Sequence, residues 1–248
     1  MTAKTASTFP DDVKELIKRV VGERNIGRIQ CLVMPRLGDK LGGPMNGQEY
    51  RRRIFADLVK RCPPAAIVET GTFRGSTTAY FATFGAPVYS VELNARHAGF
   101  AEQRLARHAH VHLYVNNSPD FLRGLANDPA FPKDSVIFYL DAHWYRHLPL
   151  AEELEIIFAN WRNAIVMVDD FEVPGTDYTF DDYGPGHALT LAYLDPLAPF
   201  NLTPFFPAAD SSAETGLKRG CVVLCKESGM ITALQGVPTL RRFQSSLP

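Results

Sequence analysis

Apolar positions along this chain follow two rhythms that change places. From residue 66 onward, short β-branched runs read as strands: AIVET (66–70), VYSVEL (88–93), VHLYV (111–115), VIFYLDA (136–142) and AIVMVDDF (164–171). Between them lie amphipathic stretches of helical period. One carries Tyr80, Phe81 and Phe84 and closes at Gly85; a second spans 95–107 behind Asn94 as N-cap; a short one covers 119–125. A further one follows Pro149 at its first position and sets Leu150, Leu154, Ile157, Phe158 and Trp161 on one face. Two more strands near 202–206 and 220–226, with a helix over 187–195 before them, complete the pattern. Strands alternating with helices predict an α/β fold: a doubly wound, mostly parallel, seven-stranded sheet with helices on both faces.

The front of the chain differs. Val13, Leu16, Ile17, Val20 and Val21 form a helical face over 11–21, stopped by Gly22, and 35–47 reads as loop. A helix starting at Asn46 as N-cap buries Tyr50, Ile54, Phe55, Leu58 and Val59 and ends at Pro63 and Pro64. Its arginines at 51–53 read as a solvated helix face. The expected organisation is a helical N-terminal extension over 1–62 and a ligand-binding domain over 63–248.

Charge changes the picture only by exclusion. Lys+Arg 26 against Asp+Glu 27 leaves a net charge of -1, without the basic face a nucleic-acid partner requires. The N-terminus has no apolar signal region, and no apolar stretch approaches the roughly 20 residues of a membrane span. The four cysteines, Cys31, Cys62, Cys221 and Cys225, show no zinc-ligand spacing and read as reduced thiols. These features predict a soluble cytoplasmic protein with a small-molecule partner, no nucleic acid and no membrane.

In such a sheet, ligands bind beyond the carboxyl ends of the strands. After the first strand comes Glu69-Thr70-Gly71-Thr72-Phe73-Arg74-Gly75-Ser76-Thr77, where Gly71 and Gly75 permit a tight turn and helix amides around Ser76 offer donors. The second strand ends in Glu92, placed to accept hydrogen bonds from ribose hydroxyls. The spacing E-x-G-x-x-x-G is not the dinucleotide fingerprint. A carboxylate at Glu69 would repel a pyrophosphate and suits an ammonium, which favours S-adenosylmethionine over NAD.

The stretch VETGTFRGSTT…VYSVEL resembles the first two motifs of class I S-adenosylmethionine-dependent methyltransferases, whose domain is Rossmann-like, and the likeness runs over about residues 65–171. That resemblance implies that Glu69, Gly71 and Gly75 line the methionine and ribose side and that Glu92 holds the ribose. Asn117 and Ser118 stand where many members carry Asp-Ser near the adenine. The cofactor-binding candidates are therefore Glu69, Gly71, Thr72, Gly75, Ser76, Thr77, Glu92, Asn117, Ser118 and Asp141.

Asp141 ends the fourth strand, and Asp169 and Asp170 end the fifth. Adjacent strands lie about 4.8 Å apart, so these ends can converge, provided the chain bends to bring both neighbouring carboxylates round. Three close carboxylates repel one another unless a cation sits between them, and oxygen ligands suit Mg²⁺, Mn²⁺ or Ca²⁺. The arrangement resembles metal-dependent O-methyltransferases of the catechol and macrocin types, which implies Asp141, Asp169 and Asp170 as metal ligands. Either His143 or His147 could act as general base. The catechol-type lysine is missing, and the macrocin type places a histidine in this neighbourhood, which favours His143. The Tyr- and Asp-rich stretch 172–186 reads as a lid or substrate wall.

The leading expectation is thus O-methylation of a small hydroxylated molecule with S-adenosylmethionine and Mg²⁺. Two others stay open: a cephalosporin hydroxylase-like metal enzyme on the same fold, and a nucleoside-binding protein without turnover. The front extension either closes the pocket or forms a homodimer contact, and the pattern does not choose.

Overall fold

A computed structural model of the chain describes residues 20–143 and 148–243. Among these residues one sheet runs in the order β3-β2-β1-β4-β5-β7-β6-β8. Its parallel part comprises β1 (Ala66–Thr70), β2 (Val88–Glu92), β3 (Val111–Val115), β4 (Val136–Leu140) and β5 (Ile165–Asp169). β7 (Cys221–Cys225) lies antiparallel to both β5 and β6 (Thr203–Pro207). The seven expected strands are all present. An eighth, β8 (Leu240–Arg242), adds three residues antiparallel to β6, too short to show a period in the sequence. The topology is the Rossmann-like doubly wound arrangement, with the chain reversing direction across the sheet between β1 and β4.

Each face of the sheet has its own core. Ala66 and Val68 of β1 join Phe121 and Leu122 of α5 (Ser118–Asn127) and Leu154, Ile157 and Phe158 of α6 (Leu150–Asn160). Ile67 on the opposite face joins Ile54, Phe55 and Leu58 of α2 (Glu49–Arg61) and Phe81 of α3 (Ser76–Ala82). This period-2 alternation puts Thr70 with the first face and Glu69 with the second. The last helix, α7 (Ser228–Gln235), buries Leu234 on the second face.

Several boundaries differ from the expectation. α2 starts at Glu49, and Asn46 adopts φ 56 inside a short 3-10 turn rather than capping it. Its cap comes from afar: the Glu214 carboxylate accepts hydrogen bonds from the amides of Tyr50 and Arg51, both at 2.9 Å. The helix expected over 187–195 is instead a 3-10 segment, Leu191–Phe200, because Pro196 and Pro199 withhold the amides an α-helix needs. α1 (Glu23–Val33) occupies a stretch where no element was expected. It crosses α4 (Ala95–Leu105) at two glycines: a Cβ on Gly27 would lie 1.9 Å from the Arg96 carbonyl, and one on Gly99 1.8 Å from that of Arg24. The expected helix over 11–21 lies outside the described residues save its last two. Among the described residues no helix is long and apolar enough to cross a membrane.

Candidate ligand and metal site

The turn after β1 is organised by a chain of hydroxyls. Thr78 and Ser90 donate to Glu69 Oε2, which leaves the Thr72 hydroxyl to donate to Ser90. Glu69 is fully buried beneath the turn, its Oε1 has no hydrogen-bond partner, and burial pushes its carboxyl up to about 7. Gly71 takes φ +91, and a Cβ there would meet the Asp141 carbonyl at 2.3 Å. The first need for glycine is therefore the passage of the chain leaving β4. Gly75 sits at φ 74 as the residue before α3.

Glu92, at the end of β2, receives the amides of Phe73 at 2.7 Å and Asn94 at 2.8 Å, so the acid and the turn hold each other. Burial raises its carboxyl above the usual range. Asn94 caps α4 as expected, accepting from the amides of Arg96 and His97. Ser76 and Thr77 are both engaged by the front of the chain. Ser76 donates to Asp39 at 2.9 Å, and Thr77 accepts from the Met45 amide at 3.0 Å. Asn117 caps α5, accepting the Asp120 amide at 2.9 Å and donating to that residue's carboxylate at 2.7 Å. Ser118 lies buried just behind it.

The carboxylates after β4 and β5 do not all converge. Asp169 and Asp170 are adjacent, and the bend the sequence required is at Asp170, with φ 53. It separates their fates. Asp169 is fully buried, ion-paired with Arg51 and accepting a hydrogen bond from the Tyr139 hydroxyl at 2.7 Å. Asp170 turns the other way, where one of its oxygens, one of Asp141 and a ring nitrogen of His143 lie within 4.8 Å of one another. The group able to hold a cation is thus Asp141, His143 and Asp170, and Asp169 stands outside it. His147 lies outside the described residues.

Two arginines complete the cluster. Arg51, from α2, is 1% exposed rather than part of a solvated face, and its charge is neutralised by Asp169 with Asp170 at 3.6 Å. It also donates to the carbonyl of Gly220 at 2.9 Å and to that of Arg219. Arg219, just before β7, pairs with Asp170 at 2.9 Å and with Asp181 of the 172–186 segment. Asp181 in turn accepts from the Tyr183 hydroxyl and lies 3.9 Å from His143 Nε2. The sequence offered one signal for this wiring: a basic residue next to the expected buried positions Tyr50 and Ile54.

Among the described residues, Asp141, Asp169, Asp170 and Asp181 face Arg51 and Arg219, so carboxyl groups outnumber guanidinium groups there. Enclosure, and then Asp170, push the Asp141 carboxyl well above its usual range. Burial lowers His143 to about 4, and among the described residues neither of its buried ring nitrogens has a hydrogen-bond partner. A neutral imidazole beside two carboxyl groups matches the donor set of a divalent cation.

No protein-family model matches the chain, and no curated protein matches it. Solved structures do share its fold. The O-methyltransferase from Bacillus cereus in complex with SAH is 16% identical, over 87% of this chain and 97% of that one, with a TM-score of 0.53. TomG of Streptomyces achromogenes, an O-methyltransferase involved in tomaymycin synthesis and solved with SAM, is 20% identical over 72% and 79%, with a TM-score of 0.53. Cofactor-bound Rv0187 from MTB is 17% identical over 90% and 99%, with a TM-score of 0.50. At these identities the likeness establishes the fold that the chain has in common with O-methyltransferases.

Proposed function

We propose that this chain is an S-adenosylmethionine-dependent methyltransferase acting on a hydroxyl of a small molecule, with a divalent cation held by Asp141, His143 and Asp170. The observation that carries the reading is the cluster itself: two carboxylates and a buried, unpartnered imidazole within 4.8 Å. It lies beside the Glu69–Glu92 turn, at the strand ends where this fold takes its ligands. The reaction so read moves a methyl group from sulfonium to a substrate oxygen and releases S-adenosylhomocysteine and a proton. A passive nucleoside binder has no use for this donor set.

The residues divide the work. Glu92, already rigid in its two amide hydrogen bonds, has lone pairs left for the ribose hydroxyls. Burial raises the carboxyls of Glu69 and Asp141, and a cationic amino-acid group bound beside them would restore their ionised form. Arg51 and Tyr139 pin Asp169, which holds the end of β5 and leaves Asp170 to face the cleft. When bound, the cation supplies Lewis acidity that lowers the substrate hydroxyl's pKa, so no side chain titrating near neutrality is required as base. At about 4 His143 suits ligation better than proton abstraction. Asp181 and Tyr183 serve as the substrate-side wall in this reading, and the front extension packs on the turn through Asp39 and Met45.

The test is an assay with methyl-labelled S-adenosylmethionine, a panel of catechols, phenols and sugars, and either Mg²⁺ or a chelator. Label transfer that needs the cation supports the reading. Absence of S-adenosylhomocysteine release with every acceptor, under either condition, contradicts it.

A further inference from the structure

Two carboxylates share the guanidinium of Arg219, and the two contacts differ in kind. Nη2 pairs with Asp181 Oδ1, while Nε lies 2.9 Å from Asp170 Oδ1. Among the described residues neither Arg219 Nε nor Asp170 Oδ1 forms a hydrogen bond, so at Asp170 the arginine supplies charge without occupying a lone pair. The main chain of Arg219 is fixed from both sides. Its amide donates to Gln48 Oε1 at 2.6 Å, and its carbonyl accepts from Gln48 Nε2 at 3.4 Å and from Arg51. Gln48 is fully buried, and its side-chain amide closes on this one residue. On the other side, the Gly220 amide donates to the Thr179 carbonyl at 2.8 Å, and the Thr179 amide to the Lys218 carbonyl at 3.1 Å. A main chain clamped between Gln48 and the 172–186 segment leaves the side chain as the part free to shift between its two acids.

We propose that Arg219 is the resident counter-charge of Asp170, competing with the divalent cation for that carboxylate and so setting the cation's affinity. This rests on the cation reading above. A positive charge held beside a ligand carboxylate opposes a second cation, and enclosure leaves little solvent to screen it. Before a cation binds, Arg219 offsets the charge of an Asp170 side chain that is only 12% exposed, with Arg51 Nη1 at 3.6 Å from the same oxygen. Once a cation binds, Arg219 keeps Asp181 as its partner, so it yields Asp170 without being left unpaired. Arg51 has no such freedom, because it is buried against Asp169. The expected sign is therefore opposite to that of an ordinary structural ion pair: removing the Arg219 charge loosens the fold and tightens the cation.

The test is calorimetric titration of the full chain with Mg²⁺, alongside melting curves without it. Arg219→Gln is expected to tighten Mg²⁺ binding by about fivefold or more while lowering Tm, whereas Arg219→Lys, which keeps the charge, stays within about twofold of wild type. Adding Asp170→Asn to Arg219→Gln should remove most of the gain, since the competition is for that carboxylate. If Arg219→Gln fails to fold, the substitution is made in an Asp181→Asn background, where it leaves one carboxylate fewer without a partner. There it should again tighten binding relative to its parent. Weaker or unchanged Mg²⁺ binding in folded Arg219→Gln, or in the double variant against Asp181→Asn, overturns the inference alone, because Arg219 would then brace Asp170 or stand aside from it. So does a gain undiminished by Asp170→Asn. No Mg²⁺ heat in either wild type or Arg219→Gln overturns the cation reading beneath it.

Discussion

The turn after β1 and the carboxylate cluster after β4 and β5 stand at the same end of one sheet, but they are built differently. The turn is local. Glu69, Thr72, Thr78, Ser90 and Glu92 belong to one β-α-β unit, and their hydrogen bonds run within it. The cluster is assembled from afar: Arg51 arrives from α2, Tyr139 from β4, Asp181 from the segment after β5, and Arg219 from the approach to β7. A local site survives loss of distant parts, whereas an assembled one depends on every element that delivers a charge.

The largest expected effect breaks the cluster from its remote side. Arg51→Met strands the buried Asp169 carboxylate and should cost about 3–5 kcal/mol of unfolding free energy in denaturant titration. Arg52→Ala, one residue on, removes a partly exposed pair with Glu49 and should cost under about 1 kcal/mol. Equal losses would refute the distinction drawn between these neighbours.

In the turn, Gly71→Ala forces a side chain onto φ +91 and into the Asp141 carbonyl. Strain and overlap together should cost roughly 2–4 kcal/mol, measured in the same way. Because that carbonyl belongs to a residue of the proposed cation site, the substitution should weaken Mg²⁺ binding as well as cofactor binding. An effect on cofactor binding alone would mean that the two regions are less coupled than their contact implies.

Adjacent aspartates sharpen the comparison further. Asp170→Asn should lower Mg²⁺ affinity by at least about tenfold, or 1.4 kcal/mol, with a smaller loss of Tm than Asp169→Asn. Asp169→Asn should do the reverse, lowering Tm while the chain, where folded, still binds the cation. The reverse assignment would restore Asp169 to the ligand set.

The smallest effect is a pH dependence at Glu153. Burial raises this carboxyl from 4.5 to about 7, so the folded chain keeps a proton that the unfolded chain releases in between. The stability it contributes is present below about pH 4.5 and is lost as pH rises through about 7. Wild type should therefore gain in Tm relative to Glu153→Gln on going from pH 8 to pH 5, and no such gain would contradict the raised carboxyl. Using the difference between the two proteins removes the opposite trend from His143, which burial keeps neutral.

The same contrast explains what could be read from the sequence. Strand runs and the Asn94 cap are local patterns, and each stands where expected. So do the buried positions of α6, because a helical face shows in its own period. Arg51 was misread because the helical pattern shows only that a position lies near the buried side, and a buried cation needs a partner distant in sequence. α1 was missed because Gly27, which reads as a weak helix residue, is what lets the helix backbone approach α4. Asp169 and Asp170 were indistinguishable by type; the left-handed backbone at Asp170 decides which one faces the cleft.

The most direct test of the account is calorimetric titration of the full chain with S-adenosylmethionine, with and without Mg²⁺, for wild type and Asp170→Asn. The account predicts cofactor binding in both proteins and a separate Mg²⁺ heat in wild type alone. Failure of wild type to bind S-adenosylmethionine under either condition, or a Mg²⁺ heat undiminished in Asp170→Asn, would contradict it.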